Sequence, residues 1–274
     1  MISVNTNQGA MVALQTLTKT DRELQVTQNR VSTGLKVSSA KDNGAIWAIA
    51  NKMRSDVVAY DRVGESAERA SALVDTAIAA GESIMELLNE MKGKALAGSQ
   101  AGLSASAQAA LAADFAQMRD QVTSIIANAS FDGANMVGAS PANALALGDS
   151  AGGNTITVSG ANLSLGGAIV TVAAASVLTD ATTSTTALGL VNSSITNLGT
   201  QLATWGAGAK RIDVHKAFVS KLQDALNSGI GAMTDADLSK ESAKLQALQV
   251  KQQLGVQALS IANQSAQTAL SLFR

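Results

Sequence analysis

The stretch that decides the fold is residues 235–274, DADLSKESAKLQALQVKQQLGVQALSIANQSAQTALSLFR. Its apolar and small side chains recur every three or four residues, and this spacing predicts an α-helix that begins near Asp235. One stripe repeats every seven residues, through Leu238, Leu245, Gln252, Leu259, Ala266 and Phe273. Other apolar side chains, including Val250, Leu254 and Ile261, lie off that stripe. A helix that is apolar on more than one face needs more than one neighbour. It is either a core helix wrapped by its own chain or, the interpretation we favour, a helix covered by other molecules.

A second stripe near the other end of the sequence has the same character. The 3-4 spacing predicts a coiled-coil-like helix that starts near Thr6 and ends near Gly34, a residue type that suits a helix end. Its members are Ala10, Leu14, Leu17, Leu24, Val31 and Leu35, with Asp21 and Gln28 as polar interruptions. Residues 38–44 have the composition of a turn. A long helical pattern follows over residues 45–97, and Ser104 is a plausible N-cap for another helix.

The pattern changes between residues 138 and 186. Alternation at 155–159 and 162–165 and a β-branched run at 168–172 predict two or three short strands in hairpins. The hydroxyl-rich residues 182–186 are predicted to be an exposed loop. Helical spacing then returns, with possible breaks marked by glycines. These glycines are Gly199, Gly206, Gly208, Gly229 and Gly231.

Composition excludes several kinds of function. The 274 residues include no cysteine and one histidine, and the formal net charge is −1. Disulfides, thiol chemistry and cysteine zinc sites are therefore absent, and a His-pair metal site or a Ser-His-Asp triad is nearly ruled out. The near-neutral charge argues against nucleic-acid binding. No apolar run reaches the roughly 18 residues of a membrane span, and the first residues do not have the pattern of a cleavable secretory signal. Trp47, Trp205 and His215 are predicted to serve packing or the surface.

Several blocks of the sequence resemble bacterial flagellin. Residues 31–50, VSTGLKVSSAKDNGAIWAIA, are similar to the family's R-[LI]-S-[ST]-G-[LK]-[RK]-[IV]-x-S-A-K-D signature and the helix after it. Residues 5–7 resemble its I-N-T-N. Near the other end, four stretches resemble further flagellin motifs. They are residues 234–237 (D-A-D), 252–255 (Q-Q-x-G), 262–264 (A-N-Q) and 270–274 (L-S-L-[LF]-R). The Asn-Gly-Ala-Ile-Trp run is similar to the short alphaproteobacterial form.

This resemblance implies a mainly α fold, with long coiled-coil-like helices from both termini packed together and a small β-hairpin region in the middle of the chain. In flagellins the terminal helices form an inner tube, D0, and a helical layer, D1, surrounds it. The implied division is 1–42 (N-terminal D0 helix and linker), 43–137 (N-terminal D1 helices), 138–186 (small β-rich variable insertion), 187–233 (C-terminal D1 helix) and 234–274 (C-terminal D0 helix).

The implied function is that of a structural, non-enzymatic subunit that polymerises into the helical flagellar filament for swimming. Its implied partners are copies of itself, the type III flagellar export apparatus with a chaperone, and the cap and junction proteins. Neither nucleic acid, nor a cofactor, nor membrane insertion is expected, and the location is outside the cell, in the filament.

The resemblance also assigns roles to residues. The expected polymerisation interface is Asn5, Leu14, Leu17, Leu24, Val31, Leu245, Gln252, Leu259, Asn263, Gln264, Leu270 and Phe273. The amides of Gln252, Asn263 and Gln264 are candidates for burial that fixes the register, or they lie on a solvated face. The expected D0–D1 linker residues are Ser38, Lys41, Asp42 and Gly44. Lys41 and Asp42 are either solvated charges or partners of charges on other subunits.

The resemblance extends to two surface properties. Many flagellins carry O-linked sugars, and the candidate hydroxyls here are Thr155, Thr157, Thr182, Thr183, Ser184, Thr185 and Thr186; the alternative is an unmodified polar loop. Enteric flagellins present L-Q-R-V-R-E-L-A to an innate-immune receptor. Residues 88–95 here place Glu90 at an arginine position and Lys94 at a leucine position, so weak recognition is expected.

Three alternatives remain open at this point. A hook–filament junction protein shares the terminal helices. Some flagellins carry a His-Glu-x-x-His metallopeptidase in the insertion, but this chain lacks that motif. A secreted adhesin or effector could use the same export route, although no sequence feature favours it.

Overall fold

A computed structural model describes the backbone of residues 6–271 and the side chains of residues 6–264. It is 72% helical. The elements in chain order are α1 (Gln8–Thr33), α2 (Gly44–Gly98), α3 (Ala105–Asn128), β1 (Ala144–Leu147), β2 (Thr155–Val158), α4 (Ala181–Thr234) and α5 (Leu238–Ser271). The predicted fold class, long helices with a small β region in the middle, is confirmed.

The chain divides into two compact units. Unit 1 is Met1–Ser55 with Ala225–Arg274, and unit 2 is Asp56–Asp224. In unit 1, α1 packs against α5. None of the helices, over the residues that the structure describes, has the length and apolarity needed to cross a membrane.

Local sequence signals set several helix ends. The Asn7 side chain accepts a hydrogen bond from the Ala10 N–H at the start of α1, which begins two residues later than predicted. Gly34 ends that helix with φ 70°, a left-handed conformation that costs glycine little, and its N–H donates to the Arg30 carbonyl. Ser104 caps α3 by accepting from the Ala107 N–H. The predicted roles of Gly34 and Ser104 are therefore confirmed.

The core of unit 2 combines one side of α2 with α3, α4 and the irregular segments between them. Its largest fully buried side chains include Ile84, Leu88, Phe115, Leu198 and Trp205. Alanines and glycines elsewhere let the helices approach closely. An added Cβ at Gly81, for example, would lie 2.7 Å from Leu202 Cδ2.

Strands β1 and β2 form an antiparallel hairpin with Ala144 opposite Val158 and Leu147 opposite Thr155. Side chains of the long helices bind the outer backbone groups of both strands. Ser66 Oγ accepts from the Leu147 N–H, and His215 Nε2 lies 3.1 Å from the Leu147 carbonyl oxygen. At the end of the second strand, Trp205 Nε1 donates to the carbonyl of Ser159, the residue that follows β2.

Two β predictions were wrong. Residues 162–165 and 168–172 are irregular backbone, and the hairpin partner of 155–158 is instead residues 144–147. Leu163, Val170 and Val172 are buried, so the apolar alternation reflects packing against the helices rather than strand pairing.

Two predictions about α4 were also wrong. The helix continues from Ala181 to Thr234 without a break at any of its glycines, and residues 182–186 form its first turns instead of a loop. Asp180 and Thr183 cap this start reciprocally, since the Thr183 N–H donates to Asp180 Oδ1 and the Asp180 N–H donates to Thr183 Oγ1. The backbone N–H of Thr183 is the main cause of the lowered pKa of Asp180.

Gly208 is needed for packing, whereas Gly206 is not. A Cβ at Gly208 would lie 2.8 Å from Val158 Cγ2, but a Cβ at Gly206 would have no neighbour within 4 Å. Both alanine replacements gain the same helix propensity, about 1 kcal/mol. We therefore expect Gly206→Ala to stabilise unit 2 and Gly208→Ala to be less stable than Gly206→Ala by about 1–3 kcal/mol. Urea unfolding followed by circular dichroism measures the difference, and equal stability of the two variants would contradict it.

Candidate assembly surface

Three polar contacts fix how α1 packs on α5. Asn7 Nδ2 donates to the Ala262 carbonyl at 2.8 Å, and Gln252 Nε2 donates to Asp21 Oδ1 at 2.7 Å. Arg30 Nη1 lies 3.0 Å from Glu241 Oε1 in an ion pair that is largely buried. Residue numbers rise along α1 as their partners fall along α5, so the two helices are antiparallel.

Close apolar packing lies between these polar contacts. A Cβ at Gly255 would be 3.2 Å from Leu17 Cδ1, so the glycine gives room for that leucine. Thr20 and Thr27 are buried on α1, and Leu248 is buried on α5. The inner face of the pair is thus covered within one chain.

Each of the two helices also has an apolar stripe that faces away from the other helix. The α5 stripe is Val250, Leu254 and Ile261, which share one face of the helix. The name α1 stripe is used here for Met11, Val12 and Leu14, which at about 100° per residue spread over an arc of about 160° on the outer side of α1. All six side chains are more than half exposed, with Met11 at 65% and Ile261 at 67%. Residues separated by four and eleven positions share one face of a helix, which places the α5 stripe opposite the buried Leu248.

The expected interface residues fall into two groups. Leu14 belongs to the exposed α1 stripe. The others that the structure describes on the leucine-rich stripes are half-buried in unit 1: Leu17, Leu24, Val31, Leu245, Gln252 and Leu259. The seven-residue repeat therefore marks mainly the faces turned toward the partner helix, and the off-stripe residues Val250, Leu254 and Ile261 mark the uncovered one.

The predictions for the three interface amides and for the terminal residues have different outcomes. Gln252 is half-buried and bonds Asp21, as expected for an amide that fixes register. Asn263 and Gln264 are exposed in the single chain, so their burial against other copies stays a prediction. Asn5, Phe273 and the side chain of Leu270 lie outside the described residues.

The linker between α1 and α2 is organised around Asp42. Its Oδ2 accepts hydrogen bonds from the N–H and the hydroxyl of both Ser38 and Ser39, at 2.9–3.1 Å. The Ser39 N–H, followed by the Ser38 hydroxyl, lowers the pKa of the Asp42 carboxyl. Lys41 is exposed, and Gly44 is the first residue of α2.

The same linker is bonded to the segment between α4 and α5. The N–H groups of Lys36 and Val37 donate to the Thr234 carbonyl, and the Ala236 N–H donates to the Gly34 carbonyl. Leu35 and Asp235 consequently form an isolated antiparallel bridge. Sequence reasoning missed this contact, because no side-chain pattern encodes a backbone bridge of one residue pair.

Acid should loosen the linker through Asp42. A carboxyl whose pKa is lowered by folding stabilises the fold fully at pH values above its pKa in the unfolded chain, about 3.9. This stabilisation is lost as the pH falls through the pKa that the carboxyl has in the folded chain. We expect hydrogen-exchange protection of the Ser38 and Ser39 amides to fall in wild type between about pH 6 and about pH 3.

Asp42→Asn should lower that protection already at neutral pH and remove its acid dependence. Asp132→Asn, which changes an exposed carboxyl in unit 2, is the control. Protection that is equal in wild type and Asp42→Asn at both pH values would contradict the prediction.

The candidate hydroxyls differ in accessibility. Thr155, Thr157, Thr182, Thr185 and Thr186 are exposed, Thr183 is half-buried in the α4 cap, and Ser184 is buried. Ser184 Oγ donates to the Asp180 carbonyl and accepts from Gln108 Nε2. The structure thus contradicts Ser184 as an accessible acceptor.

In the stretch compared with the receptor motif, Glu90 is exposed and Lys94 pairs with Asp114.

Within the described part of the chain, no group of three or more His, Asp or Glu side chains is placed to hold a metal ion. His215 contacts strand β1, and Trp205 is fully buried.

Comparison with known families gives two matches that together span most of the chain. The model of the bacterial flagellin N-terminal helical region matches residues 4–140. The model of the bacterial flagellin C-terminal helical region matches residues 188–273.

Similar proteins agree with these matches. Flagellin FljM of Caulobacter vibrioides is 45% identical over 272 residues, covering 99% of this chain and 98% of the relative. A flagellin of Brucella melitensis is 39% identical over 283 residues, covering both chains completely. The crystal structure of Bacillus cereus flagellin shares the fold over 56% of this chain and 88% of its own, with a TM-score of 0.51 at 20% identity.

Proposed function

The chain belongs to the bacterial flagellin family, and on this premise we propose that it polymerises into the flagellar filament through the α1 and α5 stripes. It is a structural filament subunit that serves swimming. The relatives described above are named flagellins, which favours this role over that of a hook–filament junction protein. The observation that carries the proposed contact is the exposure of six large or medium apolar side chains on a helix pair whose inner face is already covered.

The positions of the stripes suit a polymer that continues to grow. They lie on opposite sides of the α1–α5 pair and differ in composition. A contact between two different surfaces is heterologous, and it propagates when its rotation does not close a ring. The α1 stripe of one copy packing on the α5 stripe of the next would satisfy this condition and remove both stripes from water.

Order and assembly are coupled in this mechanism. A helix pair with uncovered apolar faces is more stable when neighbouring copies cover those faces. The polar contacts Gln252–Asp21 and Arg30–Glu241 fix the register of the pair, so each copy presents the same stripes at the same heights. The bonded linkers at Leu35 and Asp235 hold the ends of both helices together in unit 1.

The five-part division given above is part of the proposal, with α1 and α5 as the inner D0 helices, except that residues 181–186 are the first turns of α4 and so belong with the C-terminal D1 helix instead of the insertion. Asn263 and Gln264, exposed in the single chain, would contact other copies, as would Asn5, Leu270 and Phe273. Ser38, Lys41, Asp42 and Gly44 would form the linker between D0 and D1. The half-buried leucines and Val31 would act indirectly, because they hold the two helices in the paired geometry.

The remaining partners and the location follow from the family. We propose export through the flagellar type III apparatus with the aid of a chaperone, followed by assembly beneath a cap, on a base of junction proteins, outside the cell. The family is structural, and we propose that this member has no enzymatic activity, cofactor, nucleic-acid partner or membrane-inserted segment.

O-glycosylation is proposed for the exposed threonines alone: Thr155, Thr157, Thr182, Thr185 and Thr186. Sugar transfer needs a hydroxyl that an enzyme can reach, so we exclude the buried Ser184 and expect Thr183 to be a poor acceptor. Intact-mass measurement on native filaments should show more than the mass of the chain, with the excess on peptides that contain these threonines. A mass equal to that of the chain alone would reject glycosylation.

The experiment that tests the function is elongation from filament fragments, observed by electron microscopy. The full chain should extend the fragments into long filaments, whereas a chain that ends at Met233 and lacks α5 should not. A full chain that stays monomeric under every seeding condition would overturn the filament proposal.

A further inference from the structure

The methionines of this chain are unequally protected. Met91 and Met136 are buried, and Met53, Met85, Met118 and Met233 are half-buried. Among the methionine side chains that the structure describes, Met11 is the most exposed, at 65%. It lies in a shallow hollow of α1 together with Leu14, Thr18 and Arg22.

We propose that Met11 is a site of reversible oxidation by peroxide, and that its sulfoxide prevents the subunit from joining a filament. This inference rests on the proposed function, since the α1 stripe is the surface that must be covered. In the reaction the thioether sulfur attacks one peroxide oxygen, the O–O bond breaks, and a new S–O bond forms. Sulfur loses two electrons, the proton on the transferred oxygen passes to the leaving hydroxide to give water, and the sulfoxide remains.

Oxidation reverses the character of this position. The thioether is a flexible apolar group, whereas the sulfoxide carries a polar oxygen that requires a hydrogen-bond donor. Val12 and Leu14, the other members of the α1 stripe, have no side-chain donor to offer. Of the polar side chains that line the same hollow, Thr18 already donates its hydroxyl to the Leu14 carbonyl, and Gln15, Lys19 and Arg22 are exposed. Burying an unsatisfied polar group costs enough to reduce elongation by about tenfold or more.

Assembly should in turn protect the site. If the α1 stripe is covered in the filament, Met11 is accessible to peroxide only before incorporation. Oxidation would then act on newly delivered subunits and leave existing filaments unchanged. Methionine sulfoxide reductases that act on the two epimers restore methionine with a dithiol as the reductant: the dithiol is oxidised to a disulfide and the sulfoxide oxygen leaves as water, so the block would be reversible.

The test exposes the purified full-length chain to hydrogen peroxide and maps the added oxygen on each methionine peptide by mass spectrometry. Met11 should oxidise several times faster than Met91 and Met136. The oxidised chain should elongate filament fragments about tenfold more slowly or worse. Treatment with methionine sulfoxide reductases should restore the rate, and Met11 in finished filaments should resist oxidation.

Two variants isolate the position. Met11→Leu keeps an apolar side chain and cannot form a sulfoxide, so peroxide should leave its elongation rate at the value measured for the same variant before treatment. Met53→Leu, which removes a half-buried methionine, should remain as sensitive to peroxide as wild type. Oxidation of Met11 no faster than that of Met91, or an unchanged elongation rate after Met11 is oxidised, would overturn the inference.

The test also separates this inference from the filament proposal. If the untreated chain does not elongate fragments, the filament proposal fails and takes the predicted effect on assembly with it. If untreated chain and Met11→Leu both elongate but peroxide slows them equally, the filament proposal survives and the Met11 inference is rejected.

Discussion

Replacing Leu254 and Ile261 with glutamate should abolish elongation of filament fragments while leaving the single chain folded. Both side chains are more than half exposed, at 58% and 67%, so charges there are solvated in the monomer. In the proposed contact they would be buried against the apolar α1 stripe of another copy. An unpaired buried charge costs several kcal/mol, so two of them should slow elongation by at least about a hundredfold.

The matched control for this double variant places the same charges elsewhere. Ser150 and Ala151 are exposed in the turn between β1 and β2, within unit 2. Ser150→Glu combined with Ala151→Glu should therefore elongate like wild type. Thermal unfolding of both double variants should match wild type, because neither replaces a buried side chain. Elongation of the Leu254/Ile261 variant at a rate close to wild type would reject the α5 stripe as a contact.

Trp205→Ala should destabilise unit 2 by about 3–5 kcal/mol, the range for truncating a large buried aromatic side chain. The indole is fully buried, and its Nε1 donates to the Ser159 carbonyl at 2.9 Å. Removing the ring leaves a cavity between α2 and α4 and also leaves that carbonyl without its donor. Because Ser159 follows β2 directly, the hairpin should loosen with the helix.

Trp205→Phe separates the two losses, since it keeps most of the ring volume and removes the N–H. Its cost should be smaller, about 1–3 kcal/mol for an unsatisfied buried acceptor. Urea unfolding followed by circular dichroism measures all variants, with Trp47→Phe in unit 1 as the control for loss of a tryptophan. A cost for Trp205→Ala no larger than that for Trp205→Phe would contradict the cavity argument.

The helical part of the fold could be predicted because periodicity and capping are local signals. Ser104 and Gly34 mark helix ends by the chemistry of one residue, and the 3-4 spacing identifies α1 and α5 directly. The continuity of α4 could not be predicted from glycine propensity. Gly208 is required by Val158, which lies far from it in the sequence, and this packing offsets the intrinsic cost of glycine in a helix.

The candidate surface was only partly predictable for a related reason. A seven-residue stripe shows that a helix face is buried, but it does not identify the partner. Leu17 and Leu245 belong to such stripes, and their partners lie in the same chain. A better indicator of an uncovered surface than the seven-residue stripe was the set of apolar residues that interrupts the polar face of α5, namely Val250, Leu254 and Ile261. Strand β1 was missed because its Ala-Leu-Ala-Leu sequence has the residue types of a helix.

The anchoring of the hairpin by helix side chains has a consequence for a protein that is packed at high density beside identical copies. A strand with unsatisfied backbone groups is a template on which another strand can add, and a repeating array would multiply that template. Ser66 and His215 contact the backbone N–H and carbonyl of Leu147 that point away from β2, and Arg211 donates to the Thr157 carbonyl. Cross-β growth between copies is thereby disfavoured at these backbone groups, which leaves the proposed helix contacts without a competing mode of association.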